Sequence, residues 1–180
     1  MTMWVFGYGS LLWNPGFPVA RREVARLHGF ARSFCMTSIH HRGTETDPGL
    51  VLALDEVADA HCKGLALAVA AGHEEQTLAD LRERELISSA YVERDLGVQL
   101  DNGNVVTAVT YVIDPRHEQY CGGMPLEEQA HIIATAVGGR GPNTEYLYNT
   151  AEHLAEIGLS DPDLDWLMAR VRALTSVNTA

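Results

Sequence analysis

The stretch Trp4-Val5-Phe6-Gly7-Tyr8-Gly9-Ser10-Leu11-Leu12-Trp13 decides how the rest of the chain is read. Val5 and Phe6, β-branched and aromatic, have strand chemistry. The glycines after them predict a turn at the strand's end, because glycine takes up φ values that other residues avoid. A turn of this kind aims successive N–H groups one way and forms a small anion-binding nest. We therefore expect a cradle for a carboxylate, faced by an acid/base group from elsewhere in the chain. Two other glycine motifs are excluded. Leu12 stands where the third glycine of a dinucleotide fingerprint belongs, and no Gly-Lys-Ser/Thr follows as in a phosphate loop. Trp13 and the prolines of 15–18 predict a rigid loop leaving the turn.

Composition bounds the classes. The 180 residues are 46% hydrophobic and 21% charged, which suits one compact domain over 1–180 with its own core. The tail from about Thr175 is expected to fray. A formal net charge of −11 argues against nucleic acid or an anionic membrane as the main partner. No apolar run approaches the roughly 18 residues of a membrane span. No basic region followed by an apolar run opens the chain, so no signal peptide is expected. Cys35, Cys62 and Cys121 are odd in number and contain no C-x-x-C pair. They predict buried or idle thiols in a reducing cytosol.

Along the chain, 23–38 reads as strands broken at Gly29. His40 and His41 follow. Neighbours on a strand point to opposite faces and no ligand set stands nearby, so no metal is expected. Arg42 is open to two readings, an anion partner or a solvated loop arginine. Residues 50–54 and 64–70 read as buried strands. From 74 to 86 the pattern turns helical. Leu78 and Leu81 mark its apolar face; Glu85, seven and four residues on, falls on the same face, and Glu83 is turned away. Desolvation there raises a carboxyl pKa and suits it to moving protons near neutrality. The alternative is that Glu85 ends the helix and pairs with Arg82 or another surface arginine.

Asn102-Gly103 between two alternating apolar runs predicts a hairpin. The loop after it carries Tyr120, which offers a hydroxyl to a site or simply packs. Pro125 predicts the first residue of a helix with Leu126, Ala130, Ile133 and Val137 inward, stopped by Gly138. The glycines of 138–142 read as a structural turn. Asn143 is expected to cap the next helix, whose stripe is Leu147, Ala151 and Leu154. A last helix starts at Ser160-Asp161-Pro162 with Leu164, Leu167, Val171 and Leu174 inward.

These residues carry a resemblance over nearly the whole chain. The opening Gly7-Tyr8-Gly9-Ser10-Leu11-Leu12-Trp13, then His41-Arg42-Gly43-Thr44, Pro48-Gly49, Arg84-Glu85, Tyr120 and Gly141-Pro142-Asn143-Thr144-Glu145-Tyr146-Leu147 resemble the ChaC-like gamma-glutamylcyclotransferases, most closely their glutathione-acting branch. The resemblance implies an α+β fold, a small mixed β-barrel flanked by helices. It implies that a gamma-glutamyl α-amine attacks its own side-chain carbonyl, closing 5-oxoproline and, with glutathione as substrate, releasing cysteinylglycine. The family's catalytic glutamate falls on Glu85, and the helix-face argument prefers it to Glu83. Tyr8, Gly9, Ser10, Leu11, Arg42 and Tyr120 fall among the substrate contacts; no cofactor and no metal is implied. The rivals are a non-catalytic binder of gamma-glutamyl ligands, a cyclotransferase for other gamma-glutamyl amides, and an amidohydrolase releasing glutamate. A binder needs no acid/base group on a buried helix face, which favours an enzyme.

Overall fold

A computed structural model describes residues 2–86 and 89–177. The chain divides into two compact units. The first is Met1–Arg32 with Ala53–Glu118, and the second is Ser33–Leu52 with Gln119–Ala180.

The first unit holds a barrel. Among the described residues, β1 (Trp4–Gly7), β2 (Val19–Ser38), β3 (Gly49–Val69), β4 (Tyr91–Leu100) and β5 (Val105–Ile113) close it in the order β1-β3-β2-β4-β5. β1 is buried throughout and lies antiparallel to β3, with Trp4 opposite Ala68 and Gly7 opposite Leu65. Its other edge meets β5 in parallel, Trp4 opposite Ala108, and this pairing closes the ring. The hairpin is where Asn-Gly predicts it: Gly103 sits at φ +91 and β4 and β5 pair from Tyr91↔Ile113 to Gln99↔Val105. Trp4, Phe6, Leu27, Phe30, Leu54, Val98 and Val112 share the barrel's core.

One expectation is corrected here. Residues 50–54 and 64–69 are parts of a single 21-residue strand, which ends at Val69, because the strand continues where burial stops. Polarity over 55–61 reports a solvent-facing surface and not a loop. Likewise β2 is one strand; Gly29, at φ +87, breaks its conformation without ending it. Helix α1 (Glu74–Glu85) buries only Thr77 and Leu81 fully, with Leu78 half-buried.

In the second unit, α2 (Leu126–Thr135), α3 (Asn143–Glu156) and α4 (Pro162–Val177) pack on one another. Ala130, Ile133, Leu147, Leu154, Leu164, Leu167 and Val171 are buried. Val137 is not part of the α2 stripe. The helix ends at Thr135, and Val137 lies 55% exposed in a two-residue strand β6 (Val137–Gly138) paired with β7 (Gly141–Pro142). Pro125 occupies the N-cap position and Leu126 is the first helical residue. Asn143 does not cap α3 either. It is the first helical residue and fully buried, and its amide grips β3 instead. Oδ1 accepts from Leu50 N at 2.7 Å and Nδ2 donates to Leu50 O at 2.9 Å.

Candidate active site

The turn after β1 forms as its sequence suggests, by a different backbone route. Neither Gly7 nor Gly9 has a positive φ; Gly9 sits at −141. The glycines matter for space. A Cβ at Gly7 would come 3.3 Å from Leu11 Cβ, whereas one at Gly9 would meet nothing within 4 Å, so the room over Gly9 is open. Residues Ser10–Leu12 make a 3-10 turn in which Leu12 N donates to Gly9 O and Asn14 N to Ser10 O. A turn of this kind leaves its first amides without internal acceptors. Those of Gly9, Ser10 and Leu11 have no acceptor among the described residues. Leu11 and Leu12 are buried and anchor the turn, and Tyr8 packs against the barrel core.

Two arginines fix this turn. Arg32, on β2 and 9% exposed, donates from Nε to Tyr8 O at 2.7 Å and from Nη2 to Lys63 O at 2.6 Å. It thereby holds the Tyr8 carbonyl and places a buried positive charge beside the turn. Arg84, in the last turn of α1, donates to Ser10 Oγ at 2.8 Å and to Asn14 O at 2.9 Å. That pair of bonds ties the end of α1 to the cradle and brings the neighbouring Glu85 with it.

Glu85 is the last helical residue and its side chain is 17% exposed. Glu83 is exposed. Burial pushes the Glu85 carboxyl above its ordinary range, and the Arg84 guanidinium, with Nε 3.6 Å from Oε1, opposes this only in part. Arg82 does not pair with Glu85. It forks onto Glu93 of β4 at 3.0 and 2.9 Å, and Glu93 also accepts the Tyr111 hydroxyl at 2.8 Å. The Arg82 bonds, with burial working against them, and the Tyr111 bond hold the Glu93 carboxyl below its ordinary value. Glu85 is thus held above and Glu93 below the ordinary carboxylate value.

The first unit therefore brings Tyr8, Gly9, Ser10, Leu11 and Glu85 together. Arg42 and Tyr120 belong to the second unit. Arg42 is half-buried and has partners within its own unit. Its Nη1 donates to Pro142 O at 3.1 Å, its guanidinium lies 5.6 Å over the Tyr146 ring, and its own N–H donates to Ser38 Oγ. The Tyr120 backbone bridges to Met36. Among the described residues no three His, Cys, Asp or Glu side chains gather as a ligand set, and no helix is long and apolar enough to cross a membrane. Cys35 and Cys62 are buried and Cys121 is half-buried.

A family model described as ChaC-like protein matches residues 3–174. The chain belongs to the ChaC-like family. Among curated relatives, a glutathione-specific gamma-glutamylcyclotransferase of Escherichia coli is 35% identical over 98% of this chain and 75% of its own. A glutathione-specific gamma-glutamylcyclotransferase 1 of Danio rerio is 36% identical over 91% and 83%. Among solved structures, a yeast gamma-glutamyl cyclotransferase specific to glutathione superimposes at TM-score 0.83, with 25% identity and 96% of each chain covered. The barrel and the helices of this ChaC-like chain are thus the gamma-glutamyl cyclotransferase fold.

Sequence reading missed Arg32, Glu93 and Tyr111. An arginine on an apolar-rich strand was the available signal, since a buried arginine needs acceptors. Glu93 and Tyr111 carried none, because their pairing depends on the β4–β5 register.

Proposed function

We propose that this ChaC-like chain is a glutathione-specific gamma-glutamylcyclotransferase with Glu85 as its acid/base residue. The substrate's α-carboxylate rests on the Gly9, Ser10 and Leu11 amides, beside the Arg32 charge. Holding that end folds the gamma-glutamyl group with its α-amine over the side-chain carbonyl, and such orientation supplies several kcal/mol of a barrier. At neutral pH the α-amine is an ammonium ion and cannot attack, so Glu85 takes its proton. The amine nitrogen then bonds to the carbonyl carbon and loses its second proton as the amide C–N bond breaks; Glu85 hands the two protons in turn to the departing nitrogen, which leaves as an ammonium ion. The products are 5-oxoproline and cysteinylglycine. The nucleophile belongs to the substrate, so no activated hydroxyl or thiol is required. Three thiols suit a reducing cytosol, where we place the protein.

The observation that carries this reading is the desolvated Glu85 joined through Arg84 to the amide cradle. Incubation with glutathione, with products read by mass, tests it. We expect equal amounts of 5-oxoproline and cysteinylglycine; tight binding without turnover would make the chain a gamma-glutamyl binder instead. Faster turnover of other gamma-glutamyl amides would move the substrate assignment.

A further inference from the structure

Within the second unit, the segment around Tyr120 lies along β2 and brings two cysteines face to face. The Met36 and Tyr120 backbones form an antiparallel bridge. On one side of it Thr37 N donates to Gln119 O at 2.8 Å, and on the other Cys121 N donates to Cys35 O at 2.8 Å. One residue beyond the bridge on each segment, Cys35 therefore stands directly opposite Cys121. Antiparallel neighbours at a hydrogen-bonded position of this kind have Cα atoms about 5.5 Å apart and side chains on one face. A disulfide spans Cα separations of about 4.4–6.8 Å, most often near 5.5–6 Å. Cys121 Sγ also lies 3.8 Å from Phe34 O, against the peptide that leads into Cys35. Both residues are thiols, Cys35 buried and Cys121 half-buried. Cys62 differs: it is buried in the barrel core of the first unit, with its Sγ 3.9 Å from Lys63 O.

We propose that Cys35 and Cys121 are a redox modification site: a small disulfide such as glutathione disulfide oxidises the pair to a disulfide, which clamps the Tyr120 segment onto β2. The site goes beyond the cyclotransferase reading and does not depend on Glu85. The exchange has two steps. Cys121, the more accessible thiol, loses its proton, and its thiolate attacks one sulfur of the small disulfide. That S–S bond breaks, a mixed disulfide forms on Cys121, and the first small thiolate leaves and takes up a proton. Cys35 then loses its proton, and its thiolate attacks the Cys121 sulfur from across the ladder. The mixed disulfide breaks, the Cys35–Cys121 bond forms, and the second small thiolate leaves and is protonated. Two electrons pass from the protein thiols to the small disulfide, and two protons pass to its two leaving groups. With glutathione disulfide those leaving groups are two molecules of glutathione. At the reducing poise of a cytosol the pair rests as thiols, and it closes as the glutathione pool becomes oxidised. Two printed backbone bonds bracket the Met36–Tyr120 bridge, and so short a ladder opens locally at little cost. A covalent link between residues so distant in sequence removes much of the freedom that opening gains.

The test exposes the full chain to glutathione disulfide and, in parallel, to hydroxyethyl disulfide, which carries no gamma-glutamyl group and so separates exchange from turnover. With either oxidant the intact mass should fall by two hydrogens. Digestion without reductant should give a linked peptide pair holding Cys35 and Cys121, while Cys62 stays open to alkylation once the chain is unfolded. Cys35→Ala should stop at the mixed disulfide, with one small thiol attached to Cys121, and Cys121→Ala should gain no attachment. A wild-type chain that keeps the mixed disulfide on Cys121, that stays fully reduced in excess oxidant, or that links through Cys62 overturns the proposal. Amide hydrogen exchange then reads the clamp. In the bridged chain the Thr37 and Cys121 N–H groups should exchange at least about tenfold more slowly than in the reduced chain. Unchanged exchange at both amides in a fully bridged chain would overturn the clamp.

Discussion

A carboxyl buried on a helix face destabilises the fold whenever it must ionise, and Glu85 makes that penalty measurable. Its folded-state pKa lies above the ordinary value. Below the ordinary carboxylate range both folded and unfolded chains carry the proton, and nothing is lost. As pH rises from that value through the raised one, the unfolded chain releases its proton first, and stability falls across the window and stays lower above it. Glu85→Gln has no proton to lose. Thermal melts should show it more stable than wild type at neutral pH and equal to it under acid. Its turnover should drop by about 10²–10⁴-fold, the usual contribution of general acid–base catalysis. A variant that is dead but no more stable at neutral pH would contradict the burial argument. Gly9 gives a second check at this scale. With open space where its Cβ would go, Gly9→Ala should leave the melting temperature within a degree or two while raising KM for glutathione, because the methyl occupies room meant for substrate. Glu85 was legible because spacing from Leu78 and Leu81 fixes a helix face. Arg32 was not, because no periodicity says that a strand arginine meets two backbone carbonyls.

At the scale of elements, side-chain amides and guanidinium groups splice the secondary structure together. Asn143 satisfies both backbone groups of Leu50, so Asn143→Ala should cost about 2–4 kcal/mol by leaving a buried donor and acceptor unpaired. Chemical denaturation would measure this, and a loss under about 0.5 kcal/mol would mean that the pairing is dispensable. Arg32→Met strands the Tyr8 and Lys63 carbonyls in the same way. We expect a loss of roughly 1–3 kcal/mol together with a higher KM, since the cradle loses its brace and its charge. Asn143 reads as a cap because asparagine before a helical stripe usually is one. Burial against β3 overrode that preference, and only the fold reveals a partner 93 residues away in the chain. The long strands were misjudged for a related reason. Hydropathy reports which face meets solvent, while ladder membership depends on backbone pairing that polar residues such as Asp55, Glu56, Asp59 and His61 sustain equally well.

At the scale of the whole molecule, the barrel was implied by resemblance and invisible to periodicity. Its closure is the parallel pairing of Trp4 with Ala108, a contact that no local pattern encodes. The helices and the β4–β5 hairpin were legible, since apolar stripes and Asn-Gly are local signals, whereas the cap read at Asn143 was not one. The proposed chemistry uses an amide cradle and a desolvated carboxyl, with the nucleophile supplied by the substrate. Cyclisation and hydrolysis both break the gamma-glutamyl amide, so release of cysteinylglycine does not separate them. Turnover of glutathione in oxygen-18 water does. The attacking atom in cyclisation is the substrate's own nitrogen, and the predicted products are unlabelled 5-oxoproline and cysteinylglycine in equal amounts. Free glutamate carrying the heavy oxygen as first product would contradict the mechanism and make the enzyme a hydrolase.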